Sequence, residues 1–269
     1  MIQALVMAIL GLAVFQACQK ESSGVSDGRS AVKVFLTDHP TPVFDSVFVE
    51  ILGLAVKVED DSTGQESWIA LDIHPGVYNI LQFRNGLDTL FASGNLPSAR
   101  LKKIRLILGD QNRVTKDGQS FPLTLHDSHH ELEVDISEIN FQVDASGQIR
   151  FWIDFDAGQS IRVDNSGPGN NNGFELEPHI KIFSREKSGS IEGRVEPREA
   201  DAIVSATDGI HTAFAIPDDD DGEFKILGLD PGVYTILFDG QHGYGDTTLT
   251  NIRVERGEDT KVPTVRLHQ

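Results

Sequence analysis

Apolar and polar residues alternate with a period of two along most of this chain. In "AVKVFLTD", Val32, Val34 and Leu36 fall on one side and Lys33, Phe35 and Thr37 on the other. In "DSVFVEILGLAVKVED", Val47, Val49 and Ile51 hold one face as far as Gly53, which predicts a bulge or bend there. The same period runs through "RLKKIRLIL", "SFPLTL", "HELEVDIS" and "QIRFWIDFD". Successive side chains of a strand point to opposite faces, so each segment reads as a half-buried strand. The stretches "KDGQ", "ASGQ" and "DNSGPGNNNG" supply turns between them. Helical periodicity is scarce, and "QFRNGLDTLFAS" is the best helix candidate. Many short strands with regular turns predict an all-β fold of the sandwich type.

A domain boundary is expected near "FSREKSGSIEGRV". Beyond it, "GSIEGRVEP", "AIVSATD", "EFKILGL", "GVYTILFD" and "TNIRVERG" form a second, smaller strand set, residues 188–269. One element recurs across the boundary: "HPGVYNIL" at 74–81 and "DPGVYTIL" at 230–237. Pro then Gly suits the central positions of a type II turn, because Pro fixes φ and Gly accepts a positive φ. The repeat reads as the same hairpin used in two related sandwiches.

The N-terminal stretch sets the expected address. Residues Ile2 to Phe15 are apolar except for Gln3 and Gly11, a run shorter than the ~20 residues of a spanning helix. Ala17 precedes Cys18, the only cysteine, and a polar Ser/Gly/Asp-containing stretch follows to Ser30. Together these features resemble a bacterial lipoprotein signal, in the looser form used by Bacteroidota. The resemblance implies a signal peptide over 1–17, lipidation at Cys18, a flexible tether over 18–30, and contact with the lipid bilayer through the acylated cysteine. "QKE" after Cys18 is similar to the tags that route some such lipoproteins to the cell surface. The expected location is the bacterial envelope, anchored in the outer membrane.

Composition narrows the partners. The 269 residues carry 41 Asp and Glu against 23 Lys and Arg, a formal net charge of -18. That field repels phosphate backbones, so no nucleic acid is expected. One cysteine forms no internal disulfide and no Cys-rich metal site.

Three clusters invite chemical readings. His126, Asp127, His129, His130 and Glu131 could ligate zinc, but they lie between two strands and lack an H-E-x-x-H spacing, which favours a polar turn. Asp218–Asp221 before Gly222 fails as an EF-hand: with the glycine at position 6, Pro217 would stand at position 1 and Gly228 at 12. In "FWIDFDAG", alternation puts Phe151, Ile153 and Phe155 on one face and Trp152, Asp154 and Asp156 on the other. A half-exposed Trp beside two carboxylates could stack on a sugar ring and accept its hydroxyl protons; the competing reading packs Trp152 under a loop or against the second domain. No G-x-S-x-G, P-loop or G-x-G-x-x-G occurs, and no cofactor, catalytic residue or metal ligand is assigned.

The segments "VKVFLTDHP", "FDSVFVEI", "PGVYNILQFRNG", "KKIRLIL" and "FWIDFDAGQSI…FELEPHIKIF" resemble the lipoprotein domain known as domain of unknown function 4382, over 31–186. The tail, 188–269, resembles a carboxypeptidase regulatory-like, transthyretin-like β-sandwich, a non-catalytic module grouped with carbohydrate-binding-like folds. The expected protein is therefore two β-sandwich domains, immunoglobulin-like or transthyretin-like, behind a lipid anchor. Its expected role is non-catalytic binding or adhesion, with glycan as the leading ligand class. A scaffold for an envelope protein is the alternative, and a metal-dependent hydrolase built on the His126–Glu131 cluster is the third.

Overall fold

The computed structural model describes residues 29–38, 40–41, 43–87, 89–97, 99–139, 141, 143–144, 146–164 and 173–269. The predicted signal, Cys18 and most of the tether lie outside the described residues.

The strands before the boundary are β1 (Arg29–Thr37), β2 (Ser46–Asp60), β3 (Glu66–Ala70), β4 (Asp72–Ile73), β5 (Gly76–Asn79), β6 (Thr89–Pro97), β7 (Ala99–Leu108), β8 (Arg113–Lys116), β9 (Gln119–Leu125), β10 (Glu131–Asp135), β11 (Gln148–Phe155), β12 (Ile161–Asp164), β13 (Gly173–Leu176) and β14 (Ile180–Phe183). They form two sheets, one in the order β14-β11-β1-β6-β4 and one in the order β10-β7-β2-β8-β9-β13-β12, with β3 and β5 also paired to β2. The apolar sides of the alternating strands face each other between the sheets. Val32, Val34, Val47, Val49, Ile51, Ile104, Phe151 and Ile153 are all fully buried there. Gly53 sits at the predicted irregularity, where the β2–β7 register shifts between Ile51 and Gly53.

Beyond the boundary come β15 (Gly189–Glu196), β16 (Ile203–Thr207), β17 (Thr212–Ala215), β18 (Glu223–Leu229), β19 (Gly232–Asp239), β20 (Thr247–Val254), β21 (Asp259–Lys261) and β22 (Val265–Arg266). One sheet runs β18-β15-β21 with β22 on β15, and the other runs β17-β16-β19-β20. Ile191, Val204, Phe224, Ile236 and Phe238 fill the space between them, a core separate from the first. The architecture is all-β.

Two local expectations are corrected. The helix candidate resolves into a short 3-10 turn, Ile80–Phe83, followed by a chain reversal and the start of β6. Asn85 and Gly86 both take positive φ, 58° and 73°, which no α-helix accommodates and which Asn-Gly pairs adopt readily. The repeated Pro-Gly is not a type II turn, because neither Gly76 nor Gly232 has a positive φ. Each glycine instead opens a strand, and a tyrosine fixes the corner. The Tyr78 hydroxyl donates to the His74 carbonyl and the Tyr234 hydroxyl to the Asp230 carbonyl, four residues back in both copies. The repeat is thus one structural device used in both domains.

Candidate functional site

The strand proposed for ligand contact, β11, is buried on both faces. Phe151, Ile153 and Phe155 enter the first core as the alternation predicts. Trp152, expected to be half exposed, is only 4% exposed. Its ring stacks between Phe35, at 4.9 Å, and Phe183, at 5.9 Å, and Leu227 of the second domain completes the cluster. The open sugar platform is therefore corrected to an interdomain contact: strand period fixes which face a side chain joins, not what covers that face. Asp154 is 2% exposed. Asp156 caps the single helical turn Ala157–Ser160, accepting from the Gln159 amide at 2.8 Å and from its side chain at 2.6 Å. The three side chains do not form one accessible surface.

A buried acid that the sequence reading missed lies beside them. Asp38, at the end of β1, is 6% exposed and accepts a long bond from Ala157 N at 3.4 Å. Burial, then the charge of Asp154, pushes its carboxyl well above the usual range. Nothing in "LTDHP" distinguishes this acid from a solvated loop residue.

The histidine cluster disperses. His126 meets Glu175 at 3.1 Å, and that bond, with Asp127 beside it, raises its pKa. His130 meets the Leu108 carbonyl at 3.1 Å, and Glu131 meets Arg105 at 3.3 Å. Among the described residues, no group of three or more His, Cys, Asp or Glu is placed to hold a metal ion. The acidic run is a tight turn. Asp218 accepts from Asp220 N, Asp221 accepts from Glu223 N, and the Arg198 guanidinium donates to the carbonyls of Asp219 and Asp220.

A cleft of about 1190 Å³ lies between the domains. Its first wall is formed by Pro40, Thr41, Phe44 and Asp45 together with the segment from Leu81 to Leu87. Its second wall is the outer side of β15, β18 and β21, and the acidic turn forms the rim. Two contacts fix the walls relative to each other on the cleft side. Asn85 donates from Nδ2 to the Ile216 carbonyl at 2.6 Å, and Gly86 lies so close to Lys225 that a Cβ would fall 2.9 Å from its Cδ. On the opposite side, Lys181 donates to the Gly228 carbonyl at 2.7 Å, next to the Trp152 cluster. The Asn-Gly pair was the one available signal, and as a turn it could have replaced the helix reading.

The second wall alternates in sign and is internally paired. Lys225 bridges Glu192 at 2.8 Å and Asp259 at 2.9 Å, Lys261 reaches Glu192 at 3.2 Å, and Arg194 holds Glu223 at 2.8 Å. The Lys225 bond, with that of Lys261, holds the Glu192 carboxyl below its ordinary range. Such a surface offers oriented donors and acceptors with little net charge, which suits a hydroxylated ligand better than a strongly charged one.

The profile of a family described as Domain of unknown function (DUF4382) matches residues 29–178, more than half of the chain. No curated protein matches it. Among solved structures it is similar to a leucine-rich repeat protein from Bacteroides thetaiotaomicron, at 11% identity, covering 89% of this chain and 26% of that one with a TM-score of 0.20. It is also similar to the TIE protein of Bacillus anthracis, at 12% identity, covering 92% of this chain and 42% of that one with a TM-score of 0.24. The chain thus spans well under two thirds of either protein, and at these scores neither likeness assigns a fold. The matched region takes in β1 through β13 and ends just before β14 closes the first sheet, so on this evidence the chain belongs to the DUF4382 family.

Proposed function

We propose that this protein is a non-catalytic binding module of the bacterial cell envelope, held to the outer membrane through an acylated Cys18, and that the interdomain cleft receives a carbohydrate. The cleft carries the reading. Both domains build it, and the charged groups of its second wall are tied to one another rather than left as a reactive acid, base or nucleophile. The second domain, read as a carboxypeptidase regulatory-like sandwich, supplies the paired wall, and the DUF4382 domain supplies Phe44, Arg84 and Asn85.

The test is a glycan array probed with the soluble chain and with Arg84→Ala and Lys261→Ala variants. Binding that weakens at least tenfold in either variant supports the cleft. Binding that neither variant changes removes the cleft from the reading. The anchor is tested by membrane retention: a Cys18→Ser protein should be released from the membrane fraction, and continued retention would overturn lipidation at this residue.

A further inference from the structure

The two domains present opposite kinds of outer sheet face. On the first, the solvent side of β3, β2, β7 and β10 is laced with ion pairs. Lys57 meets Glu66, Lys103 meets Glu133 at 3.2 Å, and Arg105 holds Glu133 at 2.6 Å while lying 4.2 Å over the Trp68 ring. On the second domain, the sheet turned away from the cleft has no such lacing. Its register aligns Phe214, Ser205, Leu237 and Thr248 in one row across β17, β16, β19 and β20. Thr212, Thr207 and Thr235 form the next row. The intervening residues, Val204, Ala206, Ile236 and Phe238, point into the core and are fully buried, so the two rows share the outer face. Phe214 is 41% and Leu237 38% exposed, and Val233, two residues before Thr235 on β19, is 55% exposed. No charged residue stands in either row. Asp239 and Arg253 occur only at the ends of the face, opposite Ile203 and Val233.

Two central rows without charge, on a chain of net charge -18, constrain the partner. Anionic polymers and membranes are repelled by the rest of the molecule, and cationic partners are drawn to its acidic surfaces instead. A second copy brings its own -18 and has little area to gain: four strands ~4.8 Å apart and a few alternate residues ~6.8 Å apart give a patch of roughly 300 Å², against ~800 Å² per partner in a standard interface. A narrow neutral chain meets neither obstacle. Sugar ring C–H faces can lie on Phe214, Leu237 and Val233, while the hydroxyls of Ser205, Thr207, Thr212 and Thr235 both donate and accept.

We infer that the outer face of β17-β16-β19-β20 is a second carbohydrate subsite, selective for neutral linear polysaccharides. This rests on the reading of the protein as a carbohydrate binder, and places a polymer-gripping surface on the side of the second domain away from the cleft. The experiment is affinity electrophoresis of the whole soluble chain in gels containing a neutral glucan, mannan or xylan, with polygalacturonate as the anionic comparison. The variants are Phe214→Ser/Leu237→Ser and, as an independent disruption of the same rows, Ser205→Lys/Thr235→Lys; far-UV circular dichroism and thermal unfolding check folding. Arg84→Ala is the cleft control.

The expected result is retardation by at least one neutral polymer and not by polygalacturonate, with the dissociation constant raised tenfold or more in both face variants. Loss in Arg84→Ala alone would overturn the face and leave the cleft reading standing. Retardation unchanged in the folded face variants, or absent from every neutral gel, would overturn the face as a subsite. Concentration-dependent sedimentation abolished by the face variants would assign the surface to a second copy and likewise overturn the proposal.

Discussion

Gly228 is the position where a single methyl group should report on how the two domains are joined. It carries φ +69°, and a Cβ there would stand 2.7 Å from Cδ1 and 2.8 Å from Cε1 of Phe183. The Phe183 ring cannot readily yield, because it stacks on Trp152, which stacks in turn on Phe35. Two costs of Gly228→Ala therefore add. The left-handed backbone costs an alanine ~1–2 kcal/mol, and overpacking a filled site costs ~1–3 kcal/mol. The stiffer unfolded chain returns ~0.4–1 kcal/mol, for a net loss of about 2–4 kcal/mol. Gly64 is the control: its φ is +66°, yet nothing lies within 4 Å of its added Cβ, so Gly64→Ala carries only the backbone part. Calorimetry of both variants isolates the clash. A domain of this size loses ~4–8 °C of Tm per kcal/mol if the second sandwich melts alone, and ~2–4 °C if both melt together. In a Trp68→Phe background, the emission of Trp152 should also move to the red in Gly228→Ala, as water reaches the ring. Equal destabilisation in the two glycine variants, with Trp152 emission unchanged, would mean that Phe183 is free to move and that this cluster does not lock the domains.

Asp38→Asn should stabilise the fold at pH 7. The carboxyl's folded pKa is raised, so the folded state holds a proton that the unfolded chain releases above its ordinary value of 3.8; stability drops as pH rises through that window, and denaturant midpoints of the two proteins should converge at pH 3. Tyr234 is pushed up to about 12 by burial and then by Asp208 and Asp230, so stability should fall between pH 10 and 12. Ultraviolet titration should find one phenol ionising late, and Tyr234→Phe should cost about 1 kcal/mol and remove that part of the pH dependence. Asn85→Ala should lose about 0.5–1.5 kcal/mol for the broken bond to Ile216 and a further ~1–2 kcal/mol for an alanine in the left-handed region, and should hasten protease cleavage in the segment 184–188 between the domains; cleavage at the native rate would show that the cleft walls are held elsewhere.

Period-two alternation determined by itself that the chain is all-β, which residues of β1, β2, β7 and β11 enter a core, and that Gly53 breaks the register of β2. These are local properties: a strand's side chains alternate whatever lies beyond them, and a glycine marks where a pleat can bend. The "PGVY" repeat was legible as a shared element for the same reason, although its corner is held by a tyrosine hydroxyl rather than by a positive φ at glycine. What covers each face was not local. Trp152 occupies the side of β11 that alternation assigns it, yet Phe183 and Leu227, 31 and 75 positions further along, decide that it is buried. The same holds for Asp38, whose carboxyl is shifted first by its burial and then by Asp154, which the parallel pairing of β1 with β11 brings alongside, a pairing no hairpin rule predicts. The cleft exists only because an Asn-Gly turn of one sandwich reaches the β17–β18 loop of the other. The charge-free central rows of the outer face, in turn, emerge only from the register of four strands, which sets their side chains beside one another. Sequence fixed the faces because backbone geometry acts between neighbours; tertiary structure chose their partners, because burial acts between residues the chain keeps far apart.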